Sequence, residues 1–187
     1  MGYFDTEKGV DEYLLAAEGY DGCELVEFLQ PHLVEGSTIL ELGMGPGKDL
    51  NFLRKYYKPT GSDSSEIFVN RYIKTFPDSD VLVLDAINLA TSRHFDGIYS
   101  NKVLHQLTQE ELNKSLESQF RVLNPGGIAL HSLWWGEQCE DYDGMIAQHY
   151  TQESFTSQLG HRFTVLEAIR YTEMETDDSL CMILKRS

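Results

Sequence analysis

The chain has 187 residues, 41% of them hydrophobic and 24% charged, an ordinary balance for one soluble globular domain with a core of its own. Its formal net charge of −15 argues against nucleic acid and anionic membrane surfaces, which call for a basic face, and fits an acidic surface that keeps the protein soluble. No apolar run approaches the roughly 20 residues of a membrane span. Met1–Val10 lacks a signal-peptide pattern, and Cys23, Cys139 and Cys181 have neither zinc nor redox spacing, so free thiols in a cytoplasmic setting are expected.

Along the chain, residues 10–19 and 21–30 read as helices, the second with Leu25, Val26, Phe28 and Leu29 on one face and Pro31 close behind. Ser37–Leu42 is a short apolar strand running into glycines. Residues 48–56 read as helix, Pro59–Ser62 as a strand ending at Asp63, and 65–75 as helix. Val81–Leu84 is a third strand, ending at Asp85, and Phe95–Tyr99 a fourth. Leu112, Leu116 and Phe120 stand at helical spacing within 108–121. Asn124-Pro125-Gly126-Gly127 then turns into a fifth strand, Ile128–Leu133. After a short helix over 151–159, Phe163–Arg170 and Ser179–Lys185 are separated by little but an acidic turn, which predicts an antiparallel hairpin. Strands alternating with helices predict a mostly parallel α/β sheet carrying that hairpin at one edge.

Ligands of open parallel sheets bind beyond the carboxyl ends of the strands. Here the first three strands end at Glu41, Asp63 and Asp85, and Gly43-Met44-Gly45-Pro46-Gly47 follows the first. The dinucleotide pattern Gly-x-Gly-x-x-Gly would place its third glycine on Lys48, so that fit fails, as does a phosphate-binding P-loop. A pyrophosphate beside Glu41 would be repelled, which with the missing glycine argues against an NAD-type dehydrogenase. A cationic sulfonium or ammonium would be welcome there. Asp63 suits a ribose diol and Asp85 an adenine amine.

These segments resemble the class I S-adenosylmethionine-dependent methyltransferases, in particular small stand-alone methyltransferase-domain members. The resemblance rests on Ile39–Gly47, Gly61-Ser62-Asp63, Leu84-Asp85-Ala86, Phe95–His105 and Leu123–Gly127, in the family's order and rough spacing. It implies a Rossmann-like three-layer α/β/α sandwich with a seven-stranded sheet of order 3-2-1-4-5-7-6, strand 7 antiparallel. It divides the chain into N-terminal helices (1–35), a cofactor-binding core (36–133) and an acceptor-side loop with C-terminal hairpin (134–187). It assigns Glu41, Gly43, Gly45 and Gly47 to the methionine part of the cofactor, Asp63 to the ribose with Ser64 beside the adenine, and Asp85 and Ala86 to the adenine edge. Ser100 and Asn101, just past the fourth strand, would lie near the methyl donor. Tyr13 and Tyr20 are candidates to close over the cofactor, although helix packing accounts for both.

Methyl transfer asks the protein mainly to position and desolvate, and a neutral amine acceptor needs no general base. His105 and His131 are candidate catalytic bases, with packing as the commoner role for each, and His149 is a weaker candidate. His32, His94 and His161 read as surface or turn residues. Trp134 and Trp135 could wall an acceptor pocket, and Glu137, Glu140, Asp141 and Asp143 read as a solvated acidic loop. No metal site is expected. The family's Asn/Asp-Pro-Pro-Tyr signature of amino methylation on adenine or glutamine is absent, since Ser100-Asn101-Lys102-Val103 stands there. A small-molecule acceptor is therefore the expectation, with a non-catalytic cofactor-binding or partner-activating protein on the same fold as the alternative.

Overall fold

The computed structural model describes residues 3–142 and 145–187; Asp143 of the acidic run lies outside them. Its strands are β1 (Thr38–Leu42), β2 (Lys58–Asp63), β3 (Val81–Val83), β4 (Phe95–Asn101), β5 (Leu123–Trp134), β6 (Cys139–Tyr142), β7 (Met145–Gln148), β8 (Phe163–Tyr171) and β9 (Ser179–Arg186). The helices are α1 (Glu7–Ala16), α2 (Cys23–Leu29), α3 (Lys48–Leu53), α4 (Glu66–Thr75), α5 (Gln109–Val122) and α6 (Gln152–Leu159). Seven strands make one sheet in the order β3-β2-β1-β4-β5-β9-β8. The first five pair in parallel, and β9 runs antiparallel to both neighbours, with Leu130 opposite Ile183. This is the predicted order and the predicted antiparallel strand.

Strand alternation builds the three layers. Leu40, Leu42, Ile98, Ala129, Met182 and Leu184 join the core under α5 and α6. Their chain neighbours Ile39, Tyr99, Leu130, Cys181 and Ile183 join Leu25, Val26, Leu29 and Leu53 of α2 and α3 on the opposite face. Helix α5 starts where Thr108 and Glu111 form a capping box, the Glu111 carboxylate accepting the Thr108 N–H at 2.9 Å. Leu112 and Leu116, one turn apart, are fully buried, and each such side chain contributes roughly 1.5–3 kcal/mol.

Three local expectations change. Strand β4 continues through Ser100 and Asn101, because β5 pairs with it to Ser132; both residues are in the strand rather than past it. The stretch expected as a solvated acidic loop is the hairpin β6–β7, with Cys139 opposite Gln148. Its alternating apolar positions are too few to give a period. The first helix spans residues 7–16, because Thr6 caps it by accepting the Gly9 N–H and the chain turns off before Gly19 (φ 87°).

Candidate functional site

Beyond β1 the chain reverses through Gly43, Gly45 and Gly47, all at positive φ. Gly47, at φ 79°, is doubly constrained, because a Cβ there would stand 2.2 Å from the Tyr72 ring. Asp63, at the end of β2, pins this loop: its Oδ2 accepts the Gly45 N–H at 2.9 Å and its Oδ1 the Ser65 N–H at 2.8 Å. Burial raises the Asp63 pKa, and these two N–H bonds oppose the rise. Asp49, in the first turn of α3, braces the other side. It accepts the Gly22 N–H (2.7 Å), the Tyr99 hydroxyl (2.8 Å) and the Asn101 amide (3.0 Å). One carboxylate thus joins the N-terminal helices, the start of α3 and the end of β4.

Between the loop and the N-terminal segment lies a cavity of about 340 Å³. Its lining includes Tyr13, Tyr20, Glu41, Gly43, Asp49 and the Asn101 amide bonded to Asp49, and a second group, Lys102, His105, Trp134 and Glu173, linked to one another through Lys102 and Trp134. The N-terminal segment is tied down at several points. The Ser65 hydroxyl donates to the Phe4 carbonyl at 2.6 Å, the Lys48 ammonium donates to the Ala17 and Tyr20 carbonyls, and Arg71 pairs with Glu7 and Asp11. Tyr13 packs edge-on against Phe4 and Phe68 and also faces Gly45, so it both packs and covers the loop.

Glu41 is 3% exposed, and its Oε2 has no partner. Burial, reinforced by Asp49 and Asp63, pushes its carboxyl well above the ordinary range. Across the cavity the Lys102 ammonium lies 3.8 Å from the centre of the Trp134 ring, 2.7 Å from Ser179 Oγ and 2.7 Å from Glu173 Oε2. Lys102 is a non-glycine residue at φ 53°, a conformation that the packed ammonium holds in place. Desolvation lowers its pKa while Glu173 opposes the shift. His105 is 7% exposed with Nδ1 unpartnered. Burial, with Lys102 and His149 nearby, drops its pKa to about 3, so the ring is neutral.

Of the residues singled out from sequence, Tyr13, Tyr20, Glu41, Gly43, Asn101, His105 and Trp134 meet at the cavity. Gly45 and Gly47 shape the loop behind its wall. Asp63, Ser64, Asp85, Ala86 and Ser100 do not line it. Ser64 and Asp85 are exposed. The Asp85 carboxylate caps its own turn, accepting the Ile87 N–H at 2.7 Å. The Ala86 carbonyl accepts from Ser115.

His131 and Ser100 require a correction. Both share strand parity with the residues under α5 and α6, so they face away from Glu41 and Asn101. The two are fully buried and hydrogen-bonded to each other at 2.8 Å, with Phe155 edge-on to the imidazole. Burial holds His131 neutral, with a pKa of about 3. It is a core residue closed off from the cavity and cannot serve as the base considered for it; Ser100 is likewise no neighbour of the cavity. His149 stacks on Trp134 and bonds to the Trp135 carbonyl at 3.1 Å. Among the described residues no group of three His, Cys, Asp or Glu could hold a metal ion, and no helix is long and apolar enough to cross a membrane.

Sequence reasoning missed Asp49, Lys102 and Glu173. Asp49 follows the glycine loop directly, a signal that was available. Lys102 and Glu173 are 71 positions apart and meet only when β9 is in place.

Residues 39–127 match the methyltransferase domain family model. The chain is 37% identical over 108 residues to the tRNA (carboxymethyluridine(34)-5-O)-methyltransferase of Arabidopsis thaliana, covering 57% of this chain and 26% of that protein. It is 29% identical over 123 residues to the dTDP-3-amino-3,4,6-trideoxy-alpha-D-glucopyranose N,N-dimethyltransferase of Streptomyces venezuelae, covering 64% of this chain and 51% of that one. The chain thus spans about a quarter and about half of the length of these two relatives. In fold it is similar to the Burkholderia thailandensis 1,6-didemethyltoxoflavin-N1-methyltransferase, with a TM-score of 0.81 at 18% identity over 95% of this chain and 83% of that one. The glycine loop, the acids braced around it and the strand order join these likenesses in one conclusion: residues 39–127 form a methyltransferase domain, in a chain with the fold of the class I S-adenosylmethionine-dependent methyltransferases.

Proposed function

We propose that the chain binds S-adenosylmethionine across the ends of β1, β2 and β4 and directs its methyl group to a small-molecule acceptor. The observation that carries this is the buried, unpartnered Glu41 carboxylate oxygen in the cavity wall beside a left-handed glycine loop. A buried carboxylate without a partner costs stability unless a cation or donor meets it. An amino-acid ammonium is such a group, and a phosphate is not.

When bound, the cofactor supplies an electrophilic methyl on a sulfonium. Glu41 and the Asn101 carbonyl oxygen, which is also unpartnered, hold the cationic end. Asp63 keeps the glycine loop in register through Gly45 and, with lone pairs to spare on both oxygens, holds ribose hydroxyls. Ser64, Asp85 and Ala86 flank the adenine. Tyr13, Phe4 and the N-terminal helices exclude water, which strengthens every charge inside.

The acidic lining and the net charge of −15 support a small acceptor over a polynucleotide, and unpaired Cys23, Cys139 and Cys181 fit a reducing, cytoplasmic setting. A second reading, a tRNA acceptor, draws on the 37% identity to the Arabidopsis protein named for that substrate. Calorimetry with S-adenosylhomocysteine tests the cofactor reading: binding is expected, weakened about 10–100-fold by Glu41→Ala. No heat or stabilisation on folded protein would overturn it. Methyl incorporation into bulk tRNA, and not into small-molecule pools, would favour the second reading.

A further inference from the structure

We infer, resting on the cofactor reading above, that the acceptor offers an uncharged amine N–H to His105 Nδ1 at the Trp134 end of the cavity, and that anionic groups are refused there. The hydrogen-bonding state of the cavity wall points to this. Three residues that line it each carry a buried side-chain atom with no partner: Glu41 Oε2, Asn101 Oδ1 and His105 Nδ1. Asn101 Oδ1 can only accept, Glu41 Oε2 accepts once its carboxyl is ionised, and a neutral imidazole with its proton on Nε2 accepts at Nδ1.

Both wall lysines are already taken up. The Lys48 ammonium donates to the Ala17 and Tyr20 carbonyls, and that of Lys102 to Ser179 Oγ and Glu173. A carboxylate or phosphate would bring only lone pairs to a wall already rich in them, beside Glu41, Asp49 and Glu173. An N–H donor meets the need at His105, and the Trp134 ring, edge-on to the imidazole at 6.3 Å between ring centres, supplies an apolar wall next to it.

Nitrogen is favoured over oxygen for a separate reason. A hydroxyl must give up its proton to become a good nucleophile, and the site then needs a base. The groups facing His105 are Lys102 at the end of β4, His149 after β7 and Trp134 of β5; together with burial the two charged or titratable ones hold its pKa at about 3. Such a ring accepts a hydrogen bond at neutral pH but does not keep a proton. A neutral amine needs nothing more. With one N–H on His105 its lone pair is free to form the new N–C bond while the departing sulfur keeps the C–S pair, and the surplus proton on the product nitrogen passes to water. His105 orients the nucleophile and does not deprotonate it.

The test uses the full chain saturated with S-adenosylhomocysteine and three probes sharing one ring: aniline, benzoate and toluene. In imidazole nitrogen NMR, His105 Nδ1 is expected at an unprotonated position, moving on addition of aniline and unmoved by benzoate or toluene. Aniline is expected to bind about tenfold tighter than toluene, one buried hydrogen bond's worth, and His105→Phe to abolish that preference. A protonated Nδ1 in the free protein, benzoate binding as well as aniline, or a preference that survives in the variant would overturn the inference. The nitrogen spectrum of the wild type decides even if the variant does not fold. Nitrogen against oxygen is read by methyl-labelled cofactor offered to pooled small amines, alcohols and carboxylic acids: label in the amine pool is expected, and label only elsewhere, or in no pool, overturns it. Failure of S-adenosylhomocysteine to bind at all would instead bring down the cofactor reading, and the inference with it.

Discussion

The two walls of the cavity are built in different ways. The glycine-loop wall is backbone: Gly43, Gly45 and Gly47 at positive φ, with Gly45 held by Asp63 and the helix that follows the loop tied through Asp49 to the Gly22 N–H and the Tyr99 hydroxyl. The opposite wall is side chain: Lys102 just past β4, Trp134 of β5 and Glu173 of the turn before β9, held together by the Lys102–Glu173 ion pair and by the Lys102 ammonium over the Trp134 ring. A backbone wall fixes where a shared cofactor sits. A side-chain wall can be rebuilt by single substitutions, so it is where acceptor preference resides.

Breaking the first wall should cost most. Asp49→Ala strands the Tyr99 hydroxyl, fully buried, and the Gly22 N–H, and should lower stability by about 3 kcal/mol in urea titrations. A loss under 1 kcal/mol would show that water replaces the carboxylate and that the brace is dispensable. On the second wall, Lys102→Met leaves Glu173 uncompensated in a mostly buried position, with an expected loss of about 2 kcal/mol. Cofactor affinity should hold while acceptor binding falls; the reverse pattern would merge the two walls into one unit.

Acidity separates the two neutral histidines from the buried acid. With folded pKa values of about 3, His105 and His131 resist protonation that the unfolded chain accepts near 6.5, so stability is lost as pH falls from about 6.5 toward 3. Glu41 acts in the opposite sense, because its raised pKa favours the protonated folded state and destabilises it as pH rises past the ordinary carboxylate range. The readout is therefore a difference. His131→Asn should remove about 2 kcal/mol of the change between pH 7 and pH 5 relative to wild type, and parallel curves would deny the depressed pKa. The same Glu41 shift predicts that S-adenosylhomocysteine binds more tightly as pH rises and the carboxylate ionises, a trend that Glu41→Gln should flatten. The smallest effect belongs to the surface: Arg93→Ala loses a half-exposed pair with Asp80, and thermal denaturation should register about 0.5 kcal/mol.

The same contrast explains what could be read in advance. The strands, the antiparallel hairpin and the acids at the ends of β1 and β2 follow from local pattern, that is, apolar runs, glycines and turn residues within a few positions of one another, whereas the strand order was legible only through the family resemblance. Glu41 and His105 could be found because they adjoin those patterns. Asp63 could be found, yet its engagement with Gly45 and Ser65 could not, since loop closure is a matter of register. Which of its two roles His131 takes could not be read, because a strand residue's face depends on parity, and one position decides between the cavity and the core. The hairpin β6–β7 and the pair Lys102–Glu173 rest on contacts between segments with no periodic mark in the chain.

The position of β9 bears on how the molecule is made. Residues 179–186 lie between β5 and β8, and Ser179–Leu184 are all buried. A ribosome releasing the chain in order delivers β8 before the strand it pairs with, so until residue 186 emerges β8 has no edge to join and β5 stays bare. Truncation upstream of Ser179 should leave a sticky, aggregation-prone nascent chain, whereas lengthening the β8–β9 turn should merely slow closure.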